Sequence, residues 1–175
     1  MRNFVEEYFN EEVKGKAQIL FDFDNTIVID EWPYIGAIIP GAIEVLKELQ
    51  KNGHMLILFT LRSHNFPVCS QKTLDYSIET HGMNMGTIDI LTPAIKLLND
   101  NGIGLYDVNQ NHTWEEKTSD TCRKIFATYC IDDHNACTPY ILKETSTGKQ
   151  RKVVDWVAID KWCVSEGLYD KCILS

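Results

Sequence analysis

Residues 18–60 alternate between two short apolar runs and one amphipathic segment, and this alternation limits the fold more than any other feature. Residues 18–23 (Gln-Ile-Leu-Phe-Asp-Phe) are largely apolar up to a polar cluster, the pattern of a strand buried on both faces. Residues 41–52 carry Ile43, Leu46 and Leu49 at helical spacing, with Pro40 before them and Gly53 after them as start and stop signals. Residues 54–60 (His-Met-Leu-Ile-Leu-Phe-Thr) form a second apolar run. Strand, helix and strand within about 40 residues predict a right-handed βαβ unit and a parallel sheet.

The rest of the chain extends that unit. Residues 87–101 read as a helix despite Pro93, with Gly102 ending it, and residues 104–108 and 128–131 read as third and fourth strands. Residues 61–86 are longer than an ordinary connection, and residues 68–80 within them have room for a helix. After a turn-rich stretch at 145–150, residues 153–164 space Trp156, Ile159 and Cys163 as an amphipathic helix. The expected fold is a three-layer α/β/α sandwich, Rossmann-like, with a mainly parallel sheet. It forms one domain over 1–175, with a core at about 17–136 and a polar extension at 1–16. A small lid-sized insert at 65–86 and a C-terminal extension at 137–175 complete the expectation.

Composition narrows the setting. A net charge of −8 argues against a nucleic-acid polymer as partner but allows a small phosphate ester once a cation is present. The six cysteines lack CxxC or zinc-finger spacing, and the first residues lack a signal peptide's apolar core. Reduced thiols in a cytoplasmic protein are therefore expected. No apolar run reaches the roughly 20 residues of a membrane-spanning helix.

Three predicted strands end in residues that chemistry can use: Asp22 and Asp24, then Thr60, then Asp132 and Asp133. Ligands of open parallel sheets bind at these carboxyl ends. Unpaired carboxylates are costly inside a core, whereas at strand ends they can converge on a hard cation such as Mg²⁺. A carboxylate can also attack phosphorus and form an acyl phosphate, dividing one difficult step into two.

Asp22-Phe23-Asp24-Asn25-Thr26, Leu58-Phe59-Thr60 and Tyr129-Cys130-Ile131-Asp132-Asp133 occur in the order and context of three motifs of the haloacid dehalogenase (HAD) superfamily, which the chain resembles. Arg123-Lys124 is the best match to the lysine motif, with Lys117 as the alternative. Further likeness is to small, capless or minimally capped bacterial and phage-type members. It rests on Ile27-Val28, Trp32-Pro33-Tyr34-Ile35-Gly36, Gly53-His54, Leu61-Arg62-Ser63 and Val108-Asn109-Gln110-Asn111. Against that compact pattern, residues 65–86 look inserted, and Asn25 stands where glycine is commonest.

The resemblance implies a Mg²⁺-dependent phosphomonoester hydrolase. Asp22 would be nucleophile and metal ligand. Asp24 would be general acid/base, its backbone carbonyl reaching the metal. Thr60 and the backbone of Leu61 would hold the phosphoryl group, and Lys124 would neutralise it. Asp132 and Asp133 would serve the metal. Arg62 is expected as a second phosphate contact or a surface charge. Trp32 and Tyr34 either stack on a substrate ring, which would suit a nucleoside monophosphate, or pack against their own loop. A phosphotransferase or mutase of the same fold, and a non-catalytic binding protein, are the alternatives. Both are opposed: the first by the missing large cap, the second by the intact acids. Trp156 and Trp162 are expected to pack against the body of the protein or to form a subunit contact, which would allow a homo-oligomer.

Overall fold

The computed structural model describes residues 16–110, 115 and 125–174. Both lysine candidates, Lys117 and Lys124, and the extension at 1–15 lie outside the described residues.

The chain is a mixed α/β structure whose centre is a four-stranded parallel sheet. Strands β1 (Gln18–Phe21), β2 (Met55–Leu58), β5 (Asp107–Val108) and β6 (Tyr129–Ile131) lie in the order β5-β2-β1-β6. β1 is buried along its whole length and pairs on both sides, which explains its lack of polar alternation. Helix α1 (Ala42–Lys51) joins β1 to β2 and buries Ile43, Val45, Leu46 and Leu49 against the sheet's core. The expected strand–helix–strand order and parallel pairing therefore hold.

Two short antiparallel pairs decorate this frame. β3 (Phe66–Pro67) pairs with β4 (Thr87–Ile88), closing the segment predicted as an insert around helix α2 (Gln71–His81). Ser70 and Thr73 form a capping box at the start of α2. β7 (Tyr140–Glu144) and β8 (Gln150–Val154) form a hairpin around the turn-rich stretch at 145–150. Two predicted helices are shorter than expected. Helix α3 (Thr92–Asp100) begins five residues late, because Pro93 sits in its first turn and Thr87–Ile88 pair as a strand. Helix α4 (Trp156–Ser165) begins after Asp155, whose carboxylate accepts from the backbone N–H groups of Val157 and Ala158. Val153 and Val154 belong instead to β8.

The C-terminal segment is part of the main core rather than an appendage. Trp156 is fully buried, and its indole N–H donates to the Thr26 carbonyl at 2.7 Å. The Val154 N–H donates to the Asn25 carbonyl at 2.9 Å. Leu174 and Trp156 crowd Gly41, whose φ is +91°; an added Cβ there would lie 2.6 Å from Leu174 Cδ1. Gly41→Ala is accordingly expected to lose about 1–3 kcal/mol of stability in urea denaturation, from the left-handed backbone and the displaced leucine.

The five described cysteines (Cys69, Cys130, Cys137, Cys163 and Cys172) are free thiols. Among the described residues no helix is long and apolar enough to cross a membrane.

Candidate active site

Strand register brings the motifs together. Phe21 pairs with Leu58 on one side and Ile131 on the other, so Asp22, Phe59 and Asp132 leave the sheet side by side. The Asp22 N–H donates to the Ile131 carbonyl at 3.0 Å, and the Phe59 N–H to the Phe21 carbonyl at 2.9 Å. Asp22, Thr60 and Asp132 thus stand at the carboxyl ends of three adjacent parallel strands. Beyond Asp24 the chain turns through Asn25, whose φ is +59°. The Asn25 side-chain oxygen accepts from the Asp30 N–H at 3.1 Å, a local bond that helps asparagine occupy the left-handed region where glycine is usual.

The acids at these strand ends are electrostatically crowded. Burial pushes the Asp22 carboxyl from 3.8 up to about 7, with Asp132, Asp24 and Asp133 adding to the rise and a hydrogen bond from the Phe23 backbone opposing it. Burial also raises Asp133, against the pull of His134 and Asn25. Asp132, Asp133 and His134 each offer a ligand atom within 4.8 Å of one another. The Asp132 carboxylate accepts from the His134 N–H at 2.8 Å, and His134 Nδ1 lies 2.9 Å from Asp133. Burial thus opposes ionisation of Asp22 and Asp133, and carboxylate oxygens gathered in this way are the kind of donor that a hard divalent cation prefers over an imidazole.

Thr60 is braced in place. Its N–H donates to Asn109 Oδ1 at 2.7 Å, and its hydroxyl oxygen accepts from the Arg62 N–H at 3.2 Å. Asn109 therefore braces Thr60, a contact to which the sequence assigned no role. It too has positive φ, +54°, and its own N–H donates to the Leu58 carbonyl. Leu61 is 98% exposed, and its N–H meets no acceptor among the described residues.

Arg62 departs from expectation. It is neither a surface charge nor open to a phosphate, being only 1% exposed. Its guanidinium grips Asp24 in a fork, Nε to Oδ2 at 2.9 Å and Nη2 to Oδ1 at 2.7 Å. Trp32 and Tyr34 also have protein partners in place of a substrate ring. Trp32 meets Phe66 edge-on at 4.8 Å between ring centroids, and Tyr34 meets Tyr76 at 5.1 Å. The Tyr34 hydroxyl donates to Glu79 at 2.9 Å. Both rings belong to a second small cluster with Ile88 and Ile90 that fastens residues 65–90 to the loop after Asp24. The local sequence showed aromatic rings in a loop; their partners lie 34 and 42 residues away, beyond any local signal.

No protein-family model and no curated protein matches the chain. A solved structure of a conserved protein from Bacteroides thetaiotaomicron is similar to it, with 27% identity and a TM-score of 0.56, covering 91% of this chain and 98% of that one. The likeness bears on architecture and carries no argument about activity.

Proposed function

We propose that the protein is a Mg²⁺-dependent phosphomonoester hydrolase of the HAD type, acting on a small phosphate ester. The observation that carries this reading is the convergence of Asp22, Thr60 and Asp132 at three neighbouring strand ends. In this reading the four-stranded parallel sheet is the middle layer of a three-layer, Rossmann-like sandwich, with one domain running through the chain.

Asp22 and Asp132 would hold Mg²⁺, with Asp133 beside them, and the cation would neutralise charge on the phosphoryl oxygens and keep Asp22 ionised. In the first step an Asp22 carboxylate oxygen attacks phosphorus while the bond to the leaving oxygen breaks. Asp24, as general acid, would deliver a proton to that oxygen, releasing the alcohol. In the second step Asp24, now a carboxylate, takes a proton from water. The water oxygen attacks phosphorus, the Asp22–phosphorus linkage breaks, and inorganic phosphate leaves. Thr60 and the Leu61 N–H hold the phosphoryl oxygens as charge shifts among them. Lys124, matched by sequence, would supply the remaining positive charge.

The exposed rim favours hydrolysis over transfer to a second substrate. Leu61 is open to solvent, as is the His134 side chain, and a transferase must keep water away from its phosphoenzyme. With Trp32 and Tyr34 engaged by protein rings, the features that pointed to a nucleobase are already spent. The test is phosphate release from a panel of sugar, nucleoside and simple alkyl monophosphates. Release is expected with Mg²⁺, lost on chelation and restored by Mg²⁺. Silence across the whole panel with Mg²⁺ present would overturn the reading.

A further inference from the structure

Resting on that reading, we propose that Arg62 is a positioning residue: it sets the orientation of the acid/base Asp24 and does not bind the substrate phosphate.

The donor count decides between these roles. A guanidinium has five N–H bonds and no acceptor. In Arg62 each has a partner: Nε and one Nη2 hydrogen go to Asp24, the other Nη2 hydrogen to the Tyr34 carbonyl at 2.9 Å, and Nη1 to the Pro33 carbonyl at 3.0 Å and the Ile90 carbonyl at 3.4 Å. The guanidinium carbon also lies 5.1 Å from the centroid of the Phe23 ring. A phosphate would have to displace one of these acceptors, taking from the Asp24 carboxylate or from a backbone carbonyl the donor it now has.

The same contacts make Arg62 a node. It touches Asp24 and Phe23 after β1, the loop at 33–34, and Ile90 before α3, while its own N–H donates to the Thr60 hydroxyl oxygen. One side chain therefore fixes the plane of the Asp24 carboxyl relative to the threonine that holds the phosphoryl group. A two-point fork does this and a single ammonium does not. The Asp24 side chain keeps 23% exposure, so part of it remains accessible to a reacting group.

A positioning role for a general acid has a signature that a merely structural role lacks. Protonating the departing oxygen matters greatly for an alkyl alcohol and little for a nitrophenol, which leaves as a stable anion. The experiment compares kcat/KM for a primary alkyl phosphate and for p-nitrophenyl phosphate in wild type, Arg62→Lys and Arg62→Met. Each protein is assayed with Mg²⁺ below its own melting midpoint, and Arg62→Lys keeps the buried positive charge should Arg62→Met not fold. Asp24→Asn supplies the reference pattern for a lost acid.

For Arg62→Lys, the alkyl ester is expected to lose about 100-fold and the aryl ester less than about tenfold. Inhibition by inorganic phosphate should stay within about threefold of wild type. Equal losses on both esters, or a large rise in the phosphate inhibition constant, would overturn the positioning role while leaving hydrolysis intact. Failure of wild type to hydrolyse either ester would count instead against the proposed function beneath it.

Discussion

Replacing Asp22 with asparagine is expected to stop turnover and, in the same molecule, to make the metal-free protein more stable at alkaline pH. The loss of activity follows from chemistry: an amide cannot form the acyl phosphate, and removal of a nucleophile costs roughly four orders of magnitude or more. The gain in stability follows from electrostatics. The folded protein holds the Asp22 carboxyl at about 7, well above its ordinary 3.8, chiefly through burial and then through Asp132, Asp24 and Asp133. A carboxyl raised in this way favours folding in its neutral form. Its contribution is complete below about pH 4 and is lost as pH rises through 7, because the unfolded chain gives up the proton more readily. At pH 8 the buried charge costs on the order of 2–4 kcal/mol after allowance for partial exposure. Asparagine removes that cost.

Thermal melts with chelator should therefore show Asp22→Asn close to wild type at pH 4 and several degrees above it at pH 8. Saturating Mg²⁺ should narrow the gap, because a cation that binds the folded site stabilises wild type by mass action. Turnover retained by the variant would remove Asp22 as nucleophile. A variant less stable than wild type at pH 8 would show that burial and the neighbouring acids do not make the Asp22 charge costly.

What could be read in the sequence follows from how local each signal is. β1 and β2 are buried on both faces and bounded by polar turns, so composition alone marked them. The acids at their ends were legible because a charged residue after an apolar strand conflicts with burial unless it serves a site. The hairpin β7–β8 was not. Lys143, Glu144, Gln150 and Lys152 make it look like loop, and only its turn was visible. Pro93 is compatible with the interior or the first turn of a predicted helix until β4 claims the residues before it.

Arg62 is the instructive miss. A basic residue two positions after Thr60 suggested a phosphate contact, yet its direction is set by Asp24, 38 residues earlier, and by carbonyls at 33, 34 and 90. Asn109 escaped for the same reason, since its partner Thr60 lies 49 residues away. Hydrogen bonds of this range depend on the finished fold and leave no periodic trace.

The C-terminal segment gives the second large expected effect, and it separates a distant brace from a near one. Asp160 is 0% exposed. Its carboxylate accepts from the Tyr169 hydroxyl at 2.7 Å and from the backbone N–H groups of Ile173 and Leu174 at 2.9 and 2.8 Å. Burial and this acceptor together keep the Tyr169 hydroxyl protonated far above its usual range. Asp160→Ala would take this carboxylate from the buried Tyr169 hydroxyl and from two part-buried backbone N–H groups, at a cost of about 2–4 kcal/mol in urea denaturation. None of those donors touches the candidate site, so kcat/KM assayed well below the melting midpoint should stay within about threefold of wild type.

Trp156→Phe should behave differently. It removes the indole donor from the Thr26 carbonyl, within the first motif, and the Thr26 hydroxyl oxygen in turn accepts from the Asp133 N–H at 3.3 Å. Its stability cost is smaller, about 1–3 kcal/mol, but it loosens the segment that places both Asp22 and the acidic pair. A fall in kcat/KM beyond that of Asp160→Ala, at equal distance below each melting midpoint, is the expected result. The reverse order would mean that the C-terminal helix holds the chain together without holding the site.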